Sequence, residues 1–492
     1  MVDPPYRTVI GLEVHVQLLT QSKLFCGCST QFGLPPNSAT CPVCIGMPGT
    51  LPVMNRRAFD LALKAALALN CQIAGFTKWD RKNYYYPDLP KNYQISQYDL
   101  PFSSGGQLDI QTAVGPKRIR IIRVHLEEDA GKMLHDEKGG GRDSLVDLNR
   151  VGTPLLEIVS EPDLETPEEA KAYLEELRLL LRELEVSDCE MQEGSLRCDA
   201  NVNIHVPLPQ GGHAATPIVE IKNLNSFRAV ERAIKYEAER QHDEYRRTQK
   251  KLGDPGVSKV TAGWNDVRGV TVIQRRKEEA SDYRYFPEPD LVPVVVDDAW
   301  RERARAEQGE LPAAQRQRLQ TQYGLSAYDA EVLSSQGRPF VTYFEEAVQR
   351  CGDAKAVSNW TTNQVLQTLK ERKVGIQEFG VSAEALAALL QQVKGVPLNH
   401  QQAREVYARM VETGTSAAQA IADLGITVIS DEGELRDLVR KAIAANAKAV
   451  ADFKKGKVKA ADAIKGQIMR ETKGKARIEV VQKLLIEELE KA

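Results

Sequence analysis

Over residues 12–18 apolar and polar side chains alternate: Leu12, Val14, Val16 and Leu18 fall on one side of an extended chain, and Glu13, His15 and Gln17 on the other. This period of two predicts a strand whose polar face carries a carboxylate and an imidazole. Residues 199–206 repeat the pattern, with Asp199, Asn201, Asn203 and His205 opposite Ala200, Val202, Ile204 and Val206. Residues 217–223 place Glu220 and Lys222 on a common face, and residues 155–159 set Glu157 opposite Leu156 and Ile158. A fifth extended segment, residues 118–129, ends in Glu127, Glu128 and Asp129 just before Gly131, and alternation does not decide which of the three points inward. Taken singly, each segment also matches the solvated side of an antiparallel sheet. The recurrence of carboxylates with a histidine favours a shared polar cavity, because this ligand set suits Mg2+ or Mn2+ holding a nucleotide's phosphates.

Helical periods appear between and after these strands. Thr166-Pro-Glu-Glu169 reads as a capping box with proline at the first helical position, followed by the stripe Ala170, Tyr173, Leu174, Leu177, Leu181 and Leu184. Further helices are predicted over residues 56–69 and 227–246. Past residue 295 Ala, Glu, Gln, Lys and Leu dominate and the helical period takes over, so a boundary is expected near Pro293. Gly395-Val-Pro-Leu-Asn399 interrupts that pattern and predicts a linker over residues 395–410. The expected fold class is therefore α+β, with a sheet-rich domain over residues 1–294 and helical domains over 295–409 and 410–492.

Cys26-Gly-Cys28 and Cys41-Pro-Val-Cys44 add chemistry in a turn-rich stretch, since two close pairs can converge four thiolates on one tetrahedral Zn2+. Disulfides or buried thiols are the plain alternatives. Cys71, Cys189, Cys198 and Cys351 are scattered, and none is nominated as a nucleophile. The composition, 42% hydrophobic and 27% charged, is that of a soluble multi-domain protein. With no long apolar run, no signal peptide at the start and no disulfide framework, the cytoplasm is the expected compartment.

A net charge of −3 argues against wholesale nucleic-acid coating, yet residues 454–477 carry nine basic and two acidic side chains. That tail is either a solvated helix face or a contact for phosphate. Lys91, Arg150, Lys222 and Arg284 lie in polar, loop-flanked segments and are candidate contacts for a nucleotide's phosphates. No phosphate-binding glycine loop of the P-loop or dinucleotide type is present, so ATP, if bound, sits on a metal-lined sheet.

Five segments together carry a family resemblance: Val9-Ile-Gly-Leu-Glu-Val-His-Val16, Cys41-Pro-Val-Cys-Ile-Gly-Met-Pro-Gly-Thr-Leu-Pro52, His125-Leu-Glu-Glu-Asp-Ala-Gly-Lys132, Leu156-Glu-Ile-Val-Ser-Glu-Pro-Asp163 and Asp282-Tyr-Arg-Tyr-Phe-Pro-Glu-Pro-Asp290. The chain resembles GatB, the B subunit of the tRNA-dependent amidotransferases. Gly466-Gln-Ile-Met469 and Thr472-Lys-Gly-Lys-Ala476 are similar to the tail this family shares with YqeY-like proteins. The resemblance implies a glutamine-synthetase-like cradle domain, then an all-α domain and a YqeY-like tRNA-binding tail. It implies ATP-dependent amidation of misacylated Glu-tRNA(Gln) or Asp-tRNA(Asn) through an acyl phosphate, with ammonia from an amidase, the A subunit, and a small C subunit that braces the pair. Matched to the family's motifs, Glu13, His15, Glu128 and Glu157 are the expected catalytic Mg2+ ligands, Asp199, Glu220 and Lys222 follow with less support, and the Cys26, Cys28, Cys41 and Cys44 zinc is structural. Two other readings stay open: a non-catalytic tRNA-binding scaffold, and a stand-alone ligase for a small substrate, against which the basic tail argues.

Overall fold

The computed structural model describes residues 5–135, 144–276, 283–395, 398, 400–426, 432–454, 460–471 and 478–491. It divides into two compact units, Met1–Pro312 and Ala313–Ala492. The first is built on a ten-stranded sheet made of β1 (Arg7–Gln17), β2 (Gln72–Ile73), β3 (Ser103–Thr112), β4 (Gly115–Glu128), β5 (Pro154–Ser160), β6 (Leu196–Pro207), β7 (His213–Ala215), β8 (Val219–Leu224), β9 (Val260–Asn265) and β10 (Val270–Arg276). Their spatial order is β10-β9-β8-β6-β1-β5-β4-β3-β2, with β7 paired to β6. All pairings are antiparallel except β8 with β9.

The alternation read from the sequence becomes two dissimilar faces. Ile10, Leu12, Val14 and Val16 of β1 are fully buried, as are Leu156 and Ile158 of β5 and Ala200 and Val202 of β6. Three helices, α1 (Arg56–Ala68), α2 (Pro167–Glu183) and α3 (Phe227–Thr248), bring their apolar stripes into the same core. The start of α2 keeps half of the predicted box: Thr166 accepts a hydrogen bond from the Glu169 N–H at 3.1 Å and Pro167 takes the first helical position, where no donor is needed, but the Glu169 carboxylate accepts the Glu165 N–H at 2.7 Å rather than that of Thr166. Because that cap removes one unsatisfied donor, Thr166→Ala should lower unfolding stability by about 1 kcal/mol, read as a denaturant midpoint shift at unchanged slope.

The first unit continues past residue 294. Helix α4 (Asp298–Ala306) sets Trp300 against Phe59, ring centroids 5.1 Å apart, while the indole N–H donates to Asp60 at 2.6 Å. In the second unit, residues 400–413 form a helix, His400–Thr413, where a linker was expected. Its Ala403, Val406, Tyr407 and Met410 recur at helical spacing and join a core with Phe340, Phe344 and Leu386, a stripe the glycine and proline just upstream obscured. That core runs from Leu319 to Ala420, and a separate one gathers Leu435, Val439, Ile464, Leu484 and Leu489. Residues 396, 397 and 399 of the expected interruption lie outside the described residues. So do 455–459 and 472–477 of the basic tail, including the Thr472-Lys-Gly-Lys-Ala476 segment. Among the described residues no helix is long and apolar enough to cross a membrane.

Candidate active site

Opposite the helices, the sheet's second face carries the polar partners of the buried positions. Strand register sets His15 beside Glu157, Glu157 beside His125, Glu13 beside Asp199 and Asn201 beside Glu220. Two groups result. In the first, ligand atoms of His15, Glu127 and Glu157 lie within 4.8 Å of one another; in the second, those of Glu13, Asp199 and Glu220 do. Glu13 and His15 are two residues apart on β1, so the groups are neighbours on one face.

The first group is held by histidines. His15 Nε2 is 3.5 Å from Glu157 and 3.9 Å from Glu127, while His125 Nε2 is 3.3 Å from Glu157 and 3.6 Å from Glu127. Ser96 donates to Glu127 at 3.2 Å. Burial works against imidazolium at both histidines, but Glu157 and Glu127 outweigh it, raising His15 and bringing His125 to about 9. Burial alone would raise Glu157, yet His125 and His15 hold it well below the usual carboxylate range. Glu127 is pushed up by burial and by Glu157, then drawn below its ordinary value by His125 and Lys82. Protons and a lysine thus supply the positive charge that two buried carboxylates require, which is also the charge a divalent ion would bring. His125 Nδ1 is buried with no partner among the described residues.

The second group has its own cation. Lys222 bonds both Asp199 and Glu220, the latter at 2.9 Å, and Asn201 donates to Glu13 at 2.8 Å. Against burial, Asp199 and then Glu220 raise the Lys222 ammonium above its ordinary value.

Glu128 does not join either group. Its carboxylate is ion-paired with Lys91, both nearly buried, and accepts the Ile95 N–H at 3.0 Å. The reason is a β-bulge: Val159 pairs with Arg123 but Ser160 with Ile121, so one residue of β4 is left over and the alternation changes phase. Ile119 and Ile121 are buried before it, Val124 and Leu126 after it. Beyond the bulge the odd positions His125 and Glu127 face the polar side, and Glu127 takes the place expected of Glu128. Asp129, the third acid, accepts from Gln17 and Arg197, both at 2.7 Å.

Of the expected phosphate contacts, only Lys222 meets the acidic groups. Lys91 is committed to Glu128. Arg150 donates to the carbonyls of Ala130 and Gly131 at 2.8 and 2.6 Å, bracing the turn after the acids. Arg284 has φ 43° and offers its carbonyl to Asn83 at 2.7 Å. Sequence reasoning missed His125, although it stands two residues before Glu127 on the same strand. It also missed Lys82, which approaches the Tyr283 ring at 5.1 Å and whose ammonium Glu127 and Glu157 stabilise against burial. A four-residue strand, Asp80–Asn83, gives too little alternation to reveal that lysine.

Cys26, Cys28, Cys41 and Cys44 bring their sulfurs within 4.8 Å of one another, as free thiols rather than disulfides. The crowding separates their acidities. Hydrogen bonding from Cys26 is the main cause that lowers Cys44 to about 4, burial pushes Cys28 up to about 11, and Cys26 rises with its proton held toward Cys44. Four converging sulfurs of which one already favours the thiolate fit a tetrahedral thiophilic ion. The loop lies behind β4: a Cβ at Gly152 would stand 3.5 Å from Glu128 and 3.7 Å from Cys44, on the side away from the histidines.

Comparison with known proteins bears on the whole chain. The family described as GatB/GatE catalytic domain matches residues 8–302, and the GatB domain matches residues 342–489. The aspartyl/glutamyl-tRNA(Asn/Gln) amidotransferase B subunit of Rhodopirellula baltica is 52% identical over 485 residues, 98% of this chain and 97% of that protein. The B subunits of Caldanaerobacter subterraneus and Moorella thermoacetica are 50% and 51% identical, over 99% and 98% of this chain and the full length of each.

Proposed function

We infer the function from the premise that this chain belongs to the GatB family of tRNA-dependent amidotransferase subunits. It is the part of a glutamine-dependent ligase that amidates misacylated Glu-tRNA(Gln) or Asp-tRNA(Asn). We assign the activation step to the polar face of the sheet, read as a glutamine-synthetase-like cradle. The observation that carries this assignment is the pair of ligand-sized groups, His15 with Glu127 and Glu157, and Glu13 with Asp199 and Glu220, side by side on one face.

A side-chain carboxylate is a poor electrophile. In the proposed reaction one of its oxygens takes the γ-phosphoryl group of ATP and ADP leaves; ammonia then attacks the acyl carbon, phosphate departs with the bonding pair, and a proton is lost from nitrogen. Mg2+ held by these two groups would neutralise charge between the two anions as they approach. Lys222, already shared by Asp199 and Glu220, is placed to turn toward a phosphate oxygen when ATP arrives. His125 and Lys82 keep Glu127 and Glu157 ionised and therefore ready to act as ligands. The Gln17–Asp129–Arg197 clamp and the Arg150 contacts hold the end of β4 in register. Ammonia comes from the amidase partner, the A subunit, with the small C subunit holding the pair together, and the basic tail grips the tRNA. Zn2+ at the four cysteines is structural, because that loop lies on the other side of β4 from the histidines.

The test is reconstitution of the assembled enzyme with ATP, glutamine and each misacylated tRNA in turn. ADP release that depends on misacylated tRNA, followed by amidated product, is expected. A complex that binds the tRNA but shows no such ADP release would favour a scaffold role.

A further inference from the structure

Lys23 is fully buried, and its ammonium meets no carboxylate among its bonding partners. Nζ donates to the Ala39 carbonyl at 2.8 Å, lies 3.5 Å from the Leu148 carbonyl, and points at Cys44 Sγ from 3.6 Å. Glu128, across Gly152, is already paired with Lys91. The Lys23 backbone is part of the same loop, its N–H donating to the Cys28 carbonyl at 3.0 Å. A buried ammonium without an anion is among the most unfavourable arrangements a fold can contain. Among the described residues the remaining source of negative charge at contact distance is sulfur.

Four thiolates around a divalent ion leave a doubly negative centre, which in a buried site calls for N–H donors to sulfur and a nearby cation. Lys23 answers that requirement as the centre answers its own. Cys44, the most buried of the four, receives both the ammonium and the Cys41 N–H at 3.2 Å. We propose that Lys23 is a positioning residue for this site: the buried counter-ion of a metal–tetrathiolate centre, which orients the Cys44 sulfur and strengthens metal binding without being a ligand. The proposal rests on the reading that the cysteine cluster holds Zn2+ or a similar thiophilic ion.

The experiment uses the full chain purified without chelator, wild type beside Lys23→Gln and Lys23→Met. Elemental analysis of the wild type comes first; absence of zinc there rejects the metal reading itself, and this proposal with it. With zinc present, chelator competition should show both variants releasing the ion about 10- to 100-fold more readily. Cobalt substitution adds a readout that a purely structural lysine would not move. Losing N–H donation raises the sulfur electrons in energy, so the thiolate-to-cobalt charge-transfer band should shift to longer wavelength. Wild-type chelator resistance and an unmoved band in a folded Lys23→Met protein, which has no N–H donor at that position, would overturn the role of Lys23 while leaving the metal site standing. If neither variant folds, amine-reactive labelling of the wild type decides: Lys23 should be protected with zinc and become labelled once zinc is removed. Equal labelling in both states would reject the proposal.

Discussion

Exchanging Glu157 for Gln in the assembled enzyme is expected to lower ATP-dependent phosphorylation of misacylated tRNA by about 10²- to 10³-fold, the range seen when one charge-stabilising group is removed from an active site. Glu157 stands in register between His15 and His125 and lies within 3.5 Å of both, so its loss leaves two imidazoles and one carboxylate where an ion needs anionic ligands. His15→Ala should act in the same direction. The partner's glutamine hydrolysis should persist in both variants, because the change is confined to the sheet face. Glu128→Gln supplies the contrast. Breaking its buried pair with Lys91 should cost about 3–5 kcal/mol of stability, with little change in the Mg2+ concentration needed for half-maximal rate. A Mg2+ titration of the three variants checks all of this. Wild-type phosphorylation by both the Glu157 and His15 variants would end the assignment of this group to metal binding.

The second large effect is expected from the tail. The core of Leu435, Val439, Ile464 and Leu484 is separate from the one ending at Ala420, so a chain stopped after residue 426 keeps the second core, whereas a cut at 410 would remove Met410, Ala417 and Ala420 from it. The segment from Lys454 to Arg477 would go with the truncation, and with it nine basic side chains. Every phosphate that the shortened chain no longer neutralises should flatten the log–log dependence of tRNA affinity on salt by about 0.7 for single strands and 0.9 for duplex. Filter binding across a salt series should therefore show weaker and less salt-dependent tRNA binding, while ATP binding survives. Unchanged affinity and slope in a folded, assembled truncation would make the tail a solvated appendage.

Much of this site was legible because strands write their faces into the sequence. Glu13, His15, Glu157, Asp199, Glu220 and Lys222 all fall on the polar side that period-two counting assigns them, and the four cysteines converge as their spacing implied. The failures have local causes. Glu127 and Glu128 were inseparable because the bulge after Ile121 shifts the phase of β4, and a bulge is a tertiary feature with no reliable mark in a lone sequence. Arg150 and Lys91 were expected at phosphates, and the contacts they make here were not legible because a cation in a loop carries no label for what it meets: one holds carbonyls, the other a buried acid. Lys82 sits on too short a strand to show a period.

The same bulge sets a rule for change in this strand. Substitutions near Ile121 and Arg123 alter one side chain at a time, and loss of a single residue there would remove the left-over position, let the strand alternate without interruption and keep His125 and Glu127 on the polar face. Every acid would still be present in such a chain, and its composition would be almost untouched. A one-residue gap between residues 119 and 124 is thus a change this strand can absorb, because the bulge holds the one residue that the pairing with β5 does not use.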